Sequence, residues 1–240
     1  FLNLEGQKLS TSRNWAVWAH EYLNDFNGQE DVLRYVLCSI APENKDSDFS
    51  WKDFQARNNN ELCSIYGNFV NRSLVLTQKY YDGKVPCLGA LNSVDLKVIL
   101  ELKEIPKQVE IDIRAFRFRD ALSNAMSLAR LGNKYLAETE PWKLIKSNPE
   151  RVKTIMNISL QITANLTIIL GPFMPKKSKE LASLLNIDLK KWDNAGNENL
   201  ISEGHQINKP NILFTKIEDD KIEKQIENLE SSSRKQSKYP

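Results

Sequence analysis

Histidine and cysteine are both scarce in this 240-residue sequence, which contains two His and three Cys. The cysteines, Cys38, Cys63 and Cys87, form no Cys-x-x-Cys pair, so their spacing argues against a zinc site. An odd number of separated cysteines without a signal-peptide pattern is typical of reduced thiols in a cytoplasmic protein. His20 and His205 lie far apart along the chain, so the sequence gives little support for histidine-based catalysis.

Long apolar runs and an excess of one charge are also missing. No uninterrupted apolar stretch approaches the roughly 20 residues of a membrane span, so we expect no membrane partner. The 33 Lys and Arg residues nearly balance the 31 Asp and Glu residues, which leaves a net charge of +2. Any role in binding nucleic acid must therefore rest on a local patch rather than on overall charge.

Glycine is scarce, at nine residues, and apolar residues recur at helical spacing along most of the chain. Predicted helices cover residues 14–25, 30–39, 51–81, 93–113 with a kink near Pro106, 117–138, a short segment from Pro141, 149–170, 177–185 and 220–229. Residues 211–217 fit either a strand or an extended tie. The prediction is a mainly α protein whose centre is an antiparallel helix bundle with short connections.

The N-terminal segment has a different character. Phe1 to Leu4 is an apolar-rich run that reads as a strand from a larger sheet, followed by a Lys- and Ser/Thr-rich loop from Lys8 to Ser12. One ammonium and three hydroxyls suit the binding of an oligophosphate. A plain solvated turn explains the same residues, and the spacing alone does not decide between the two.

Several stretches together resemble one family. Lys8-Leu9-Ser10-Thr11-Ser12 resembles the Lys-Met-Ser-Lys-Ser motif of class I aminoacyl-tRNA synthetases, with Thr11 in place of the second lysine. The stretches that resemble methionyl-tRNA synthetases are Asp31–Leu37, Asp48–Phe54, Gly67–Arg72, Gly132–Leu136 and Glu140–Lys143. They occur in family order over about 140 residues, which makes the resemblance specific.

This resemblance implies a division of the chain. Residues 1–49 would be the end of the catalytic domain and its connecting segment, and residues 50–186 the helical anticodon-binding domain. Residues 187–230 would be a C-terminal extension with a helix, and residues 231–240 a disordered linker. The nucleotide-binding half would be missing, and any zinc site with it, so we expect a monomeric chain that is inactive without its catalytic domain.

The resemblance also implies a function and site residues. The parent enzyme would activate methionine with ATP and Mg²⁺ and transfer it to tRNA(Met) in the cytoplasm. The ATP-binding residues would be Lys8, Leu9, Ser10, Thr11 and Ser12, with Lys8 as the catalytic cation. We expect this loop to be loosely held, because the rest of its sheet is absent.

The expected RNA contacts are Asn68, Arg72, Pro141 and Trp142. Asn68 and Arg72 are four positions apart and share a helix face, where an amide and a guanidinium could read a base edge or form an ordinary solvated pair. Trp142 could be a core residue or a plate on which a base stacks. The resemblance implies that these residues face the anticodon stem-loop of tRNA(Met).

Two alternatives stay open. The chain could belong to another class I synthetase, for Ile, Val, Leu or Cys. It could also be a helical interaction scaffold without an RNA role, which would scatter or bury Asn68, Arg72 and Trp142. The four other tryptophans are expected to be packing residues: Trp15, Trp18, Trp51 and Trp192.

Overall fold

Helices form most of the chain, and the mainly α class is confirmed. The computed structural model describes residues 1–236, with side chains described through residue 231. It separates into two compact units: one comprises Phe1–Cys63 and the segment from Phe214 onward, and the other comprises Ser64–Leu213. No helix of the described chain is long and apolar enough to cross a membrane.

The first unit contains a small sheet and five helices. Its elements are β1 (Leu2–Leu4), β2 (Gln7–Lys8), α1 (Ala19–Asp25), α2 (Glu30–Ser39), β3 (Ser47–Phe49), α3 (Trp51–Arg57), the first part of a π helix (Asn58–Gly67) and α10 (Asp219–Gln236). Strand β1 lies between the other two, antiparallel to β2 and parallel to β3. The buried core is an aromatic cluster of Tyr22, Phe26, Phe49, Trp51 and Phe54.

The second unit is a helix bundle. Its helices are α4 (Asn68–Tyr81), α5 (Ser93–Arg114), α6 (Phe118–Thr139), α7 (Pro141–Leu144), α8 (Pro149–Ile169) and α9 (Pro175–Leu185), followed by a 3₁₀ turn at Trp192–Asn194. Helix α8 is buried along nearly its whole length and packs against α4, α5, α6, α7 and α9. Helices α4 and α6 also pack against each other.

Local sequence signals set several helix ends as predicted. The side chain of Ser50 accepts a hydrogen bond from the Asp53 N–H at the start of α3. Asn148 caps α8 in the same way, ahead of Pro149. Asp82 adopts a left-handed conformation directly after α4, which ends at Tyr81 as predicted.

A buried charge network holds α5, α6 and α8 together. Arg151 donates hydrogen bonds to both carboxylate oxygens of Asp95, at 2.5 and 2.7 Å. The Tyr135 hydroxyl donates to the same carboxylate at 2.6 Å. Asp95 also closes a capping box with Asn92, the N-cap of α5, and the helix begins at Ser93 as predicted.

The predicted α-helix from Trp51 to Tyr81 is wrong in its middle, where Asn58–Gly67 is a π helix. In the first unit, the side chains of Asn58 and Asn59 leave this helix to bind backbone groups of Thr215 and Ile217. Residues 211–217 are thus an extended tie and not a strand. Periodicity of apolar residues cannot reveal such long-range amide contacts.

Two other boundaries need correction. Helix α1 begins at Ala19, because residues before it form a turn with Asn14 at a positive φ of 51°. Helix α5, by contrast, ends at Arg114, within one residue of its predicted end. Helix α10 extends to Gln236, so residues 231–236 are not the predicted disordered linker, and residues 237–240 lie outside the described part of the chain. The other predicted domain limits, at residues 49 and 186, stay a proposal.

Candidate nucleic-acid interface

Close packing of α4 on α6 begins at Gly132. A Cβ atom placed on this glycine would lie only 2.3 Å from the ring of Phe69, which is fully buried. The absence of a side chain therefore lets the Phe69 ring lie directly against the backbone of α6. This approach places the next residue of α6, Asn133, beside the residue that precedes Phe69 on α4, Asn68.

Asn68 and Asn133 are joined by their side chains. The Nδ2 of Asn68 donates to the Oδ1 of Asn133 at 3.2 Å. Asn133 in turn donates from its own Nδ2 to the carbonyl of Ile65 at 2.8 Å and to that of Ala129 at 3.3 Å. Asn68 is exposed and Asn133 is half-buried, so the pair lies at the surface with Asn68 outermost.

Arg72 and Trp142 form the second pair of this surface. The guanidinium carbon of Arg72 lies 4.9 Å from the centroid of the Trp142 ring, which is a cation–π contact. Arg72 is half-buried, and this burial lowers the pKa of its guanidinium from the usual value. No carboxylate pairs with it among the described residues, so its charge is left to act on an incoming group.

The chain turn before Trp142 holds the ring at the surface. Helix α6 ends because Glu140 adopts a left-handed conformation, with φ of 42°. Pro141 is buried and occupies the first position of α7, where its missing N–H has no helical partner to lose. Trp142 follows and keeps 38% of its surface exposed, so an exposed ring stands directly after a buried proline.

Asn68, Arg72, Pro141 and Trp142 are thus brought to one part of the second unit by α4, α6 and the start of α7. The sequence prediction included no role for Asn133, although it lies within one of the resembling stretches. An isolated glycine inside a helix, here Gly132, is the signal that could have pointed to a close approach at this position.

The loop from Lys8 to Ser12 belongs to the first unit and is followed by a hydrogen-bonded turn, while its expected looseness stays a prediction. Ser10 and Trp15 exchange two backbone hydrogen bonds of 2.9 Å. The indole N–H of Trp15 donates to the carbonyl of Leu4 at 2.9 Å. Thr11 and Ser12 are exposed within this closed turn, whereas Lys8 and Leu9 are exposed ahead of it, with Lys8 paired to Asn3 in the sheet.

Trp15 and Trp18 therefore act as hydrogen-bond donors as well as packing residues. The Trp18 indole donates to the Asn14 side chain at 2.8 Å, and Asn14 is the residue with positive φ at the end of the turn. Both tryptophans are half-buried. Two indole donors thus fix the base of the loop, a role that apolar spacing cannot predict.

Two family models match most of the chain. The model described as "tRNA synthetases class I (M)" matches residues 1–74. The model described as "Anticodon binding domain of methionyl tRNA ligase" matches residues 85–234, more than half of the chain.

The chain belongs to the methionyl-tRNA ligase family. Among curated proteins, it is 58% identical over 234 residues to a methionine–tRNA ligase of Cytophaga hutchinsonii. The aligned region covers 98% of this chain and 34% of that protein. It is 59% identical over 229 residues to one of Bacteroides fragilis, covering 95% of this chain and 34% of that protein. The chain thus spans about a third of the length of these methionine–tRNA ligases.

Solved methionyl-tRNA synthetases share the fold. The Mycobacterium tuberculosis enzyme in complex with methionyl-adenylate matches with a TM-score of 0.74 at 23% identity, over 88% of this chain and 42% of that one. The free form matches with a TM-score of 0.69 at 24% identity, over 78% of this chain and 39% of that one. At this identity, the structural match shows that this chain and the solved enzymes share a fold.

The described part of this methionyl-tRNA ligase family member holds no group of three or more His, Cys, Asp or Glu side chains that could bind a metal ion. The Mg²⁺ that the family resemblance implies therefore has no protein ligand cluster among these residues.

Proposed function

We propose that the second unit binds the anticodon stem-loop of tRNA(Met), and that the parent protein is a methionine–tRNA ligase of the cytoplasm. The observation that carries this proposal is the surface formed by Asn68, Arg72 and Trp142. It combines an exposed ring, an unpaired guanidinium beside it and an exposed amide on the neighbouring turn. A single-stranded loop offers the complementary groups, namely base faces and Watson–Crick edges.

Each residue has a distinct role in this proposal. The Trp142 ring stacks on a base, the Arg72 guanidinium donates to acceptors on a base edge, and the Asn68 amide contacts the same edge. Pro141 holds the ring in place from below.

Binding of the chain to short RNA stem-loops tests this function. We expect tighter binding to a stem-loop with the CAU anticodon than to stem-loops with a changed first base, measured by fluorescence anisotropy at fixed salt. Stem-loops with the same stem and a scrambled loop are the control. Equal affinity for all of them would contradict anticodon binding.

For the parent enzyme, we propose that it activates methionine with ATP and Mg²⁺ and then acylates tRNA(Met). The Lys8 ammonium would stabilise the negative charge that develops on the pyrophosphate, with the hydroxyls of Ser10, Thr11 and Ser12 as hydrogen-bond donors. Thr11 carries no charge, so Lys8 is the only cation among the five loop residues.

Two measurements separate the parts of this proposal. The chain alone, without its catalytic partner domain, is expected to show no methionine-dependent ATP–pyrophosphate exchange. In the whole ligase, Lys8→Ala should slow activation more than it weakens tRNA binding. Equal losses in both steps would instead identify Lys8 as a structural residue.

A further inference from the structure

The orientation of the Asn68 amide follows from its neighbours. The carbonyls of Ile65 and Ala129 both lie within hydrogen-bond distance of one end of the Asn133 amide. A carbonyl can only accept, so this end of Asn133 must be its NH₂ group. The opposite end, which faces Asn68, is then the Oδ1 of Asn133.

The same reasoning extends by one residue. Because Asn133 presents an oxygen, Asn68 must present its NH₂ group to it, as the 3.2 Å hydrogen bond requires. The Oδ1 of Asn68 therefore points away from Asn133. It has no hydrogen-bond partner among the described residues, and Asn68 is exposed, so this oxygen is a free acceptor at the surface.

We propose that Asn133 is a positioning residue that locks the Asn68 amide with its oxygen outward, so that the surface selects a base with an amino group on its Watson–Crick edge. This inference rests on the proposed function, since it concerns the same RNA-binding surface. Without the lock, the Asn68 amide would be free to rotate by half a turn, so that its outward end could either accept from an amino group or donate to a carbonyl.

The pattern of groups on this surface matches one base best. Asn68 offers an acceptor, and Arg72 on the next turn of α4 offers only donors. Cytosine carries an amino donor at C4 next to two acceptors, N3 and O2, which is the complement of this arrangement. Uracil places a carbonyl at C4 and an N–H at N3, so it would set an oxygen against the Asn68 oxygen and an N–H against the Arg72 donors.

The test compares three stem-loops that differ only in the first anticodon base: cytosine, pyrimidin-2-one, which lacks the amino group, and uracil. We expect the wild-type chain to bind them in that order, with a cytosine-to-uracil preference of roughly tenfold or more. The ratio of affinities, rather than the affinity itself, is the readout. A chain that binds none of them, or binds all equally, would contradict the proposed function itself.

Three variants of Asn133 then test the lock. Asn133→Leu and Asn133→Ser remove the oxygen that faces Asn68, because leucine has no acceptor and the serine hydroxyl is too short to reach. The ratio should fall towards one in both. The serine variant can donate to the Ala129 carbonyl four residues earlier, so it supplies a folded protein if the leucine variant does not fold.

Asn133→Asp separates specificity from stability. A carboxylate keeps an acceptor towards Asn68 but cannot donate to Ile65 and Ala129, so this variant should lose stability as the others do. Its added negative charge should weaken binding of all three RNAs alike. The cytosine preference should nevertheless persist, since Asn68 must still present its NH₂ group inward.

A purely structural role for Asn133 predicts a different result, in which loss of preference follows loss of stability across the three variants. The proposal is overturned if the folded serine or leucine variant keeps the wild-type ratio. It is equally overturned if the aspartate variant, folded by circular dichroism, loses the ratio. In either case a cytosine preference in the wild-type chain would leave the proposed function standing.

Discussion

The guanidinium of Arg72 lies 4.9 Å over the ring of Trp142, although Arg72 is on α4 and Trp142 is the second residue of α7. This contact joins the proposed stacking plate to the proposed base-reading donor. Each side chain limits the motion of the other, so the surface is organised before any RNA arrives. Pre-ordering of this kind reduces the entropy lost on binding.

Replacement of Trp142 by alanine removes the stacking plate. We expect Trp142→Ala to weaken binding of the CAU stem-loop by about 1–3 kcal/mol, as is typical for loss of a base–aromatic stack. Trp192→Ala is the matched control, because this half-buried indole lies in the same unit and bonds to Glu110 instead. A lower melting temperature with unchanged affinity per folded molecule would make Trp142 a core residue.

The geometry of Arg72, beyond its charge, is expected to matter. Arg72→Lys keeps one positive charge but loses the planar fork that stacks on Trp142 and donates in two directions. The slope of log Kd against log salt should therefore stay near wild type, while base discrimination falls by about 1–3 kcal/mol. An unchanged base preference in this variant would show that Arg72 acts only as a point charge.

Gly132 is predicted to be intolerant of a side chain. In Gly132→Ala, the added methyl group would overlap the Phe69 ring and push α4 away from α6. We expect a loss of about 1–3 kcal/mol in the free energy of unfolding from overpacking. The shift would also separate Asn68 from Asn133 and reduce the cytosine preference. The loss of stability can be measured by urea titration. Lys134→Ala, at an exposed position two residues further along α6, should change stability by about 0.5 kcal/mol or less.

Stability should fall in acid because of Asp95. Burial disfavours ionisation of this carboxyl, but hydrogen bonds from Arg151, the Asn92 backbone and Tyr135 outweigh it and hold the pKa of Asp95 below its usual value. Such a group stabilises the fold fully when the pH is above the pKa that it has in the unfolded chain, which is about 4. This stabilisation is lost as the pH falls through the lower pKa of the folded state. The free energy of unfolding of the wild-type chain should therefore decrease as pH falls below about 4.

Asp95→Asn provides the corresponding variant. At neutral pH it should lower the free energy of unfolding by about 3–5 kcal/mol, because it leaves the Arg151 charge buried without its partner. Its decline in acid should be shallower than that of wild type. Glu104→Gln removes an exposed carboxylate that pairs with Lys107, and should change stability by about 1 kcal/mol or less. Parallel acid profiles for wild type and Asp95→Asn would contradict this assignment.

The base of the Lys8–Ser12 loop offers a test by proteolysis. Trp15→Phe keeps an aromatic ring but removes the N–H that donates to Leu4. We expect trypsin to cleave this variant faster than wild type after Lys8 and Arg13, because the closed turn opens more often. Trp192→Phe should leave these two cleavage rates unchanged. Equal rates in Trp15→Phe and wild type would show that the backbone pairing of Ser10 with Trp15 suffices.

The sequence by itself determined most of the helices, several of their ends and the family. Ser50 with Asp53, Asn148 with Pro149, and Pro141 are local signals, since a cap depends on residues within one turn of each other. The resembling stretches also identified the residues that the structure brings together on one surface.

Only the tertiary structure decided which polar side chains meet. Asn68 and Asn133 are 65 positions apart, and their contact depends on the approach of two helices at Gly132. The π helix, the tie at Asn59 and the indole donors at Trp15 and Trp18 likewise depend on partners that are not local. Sequence periodicity reports which face of a helix is apolar, but the direction of a polar group is set by the donors and acceptors that folding places around it.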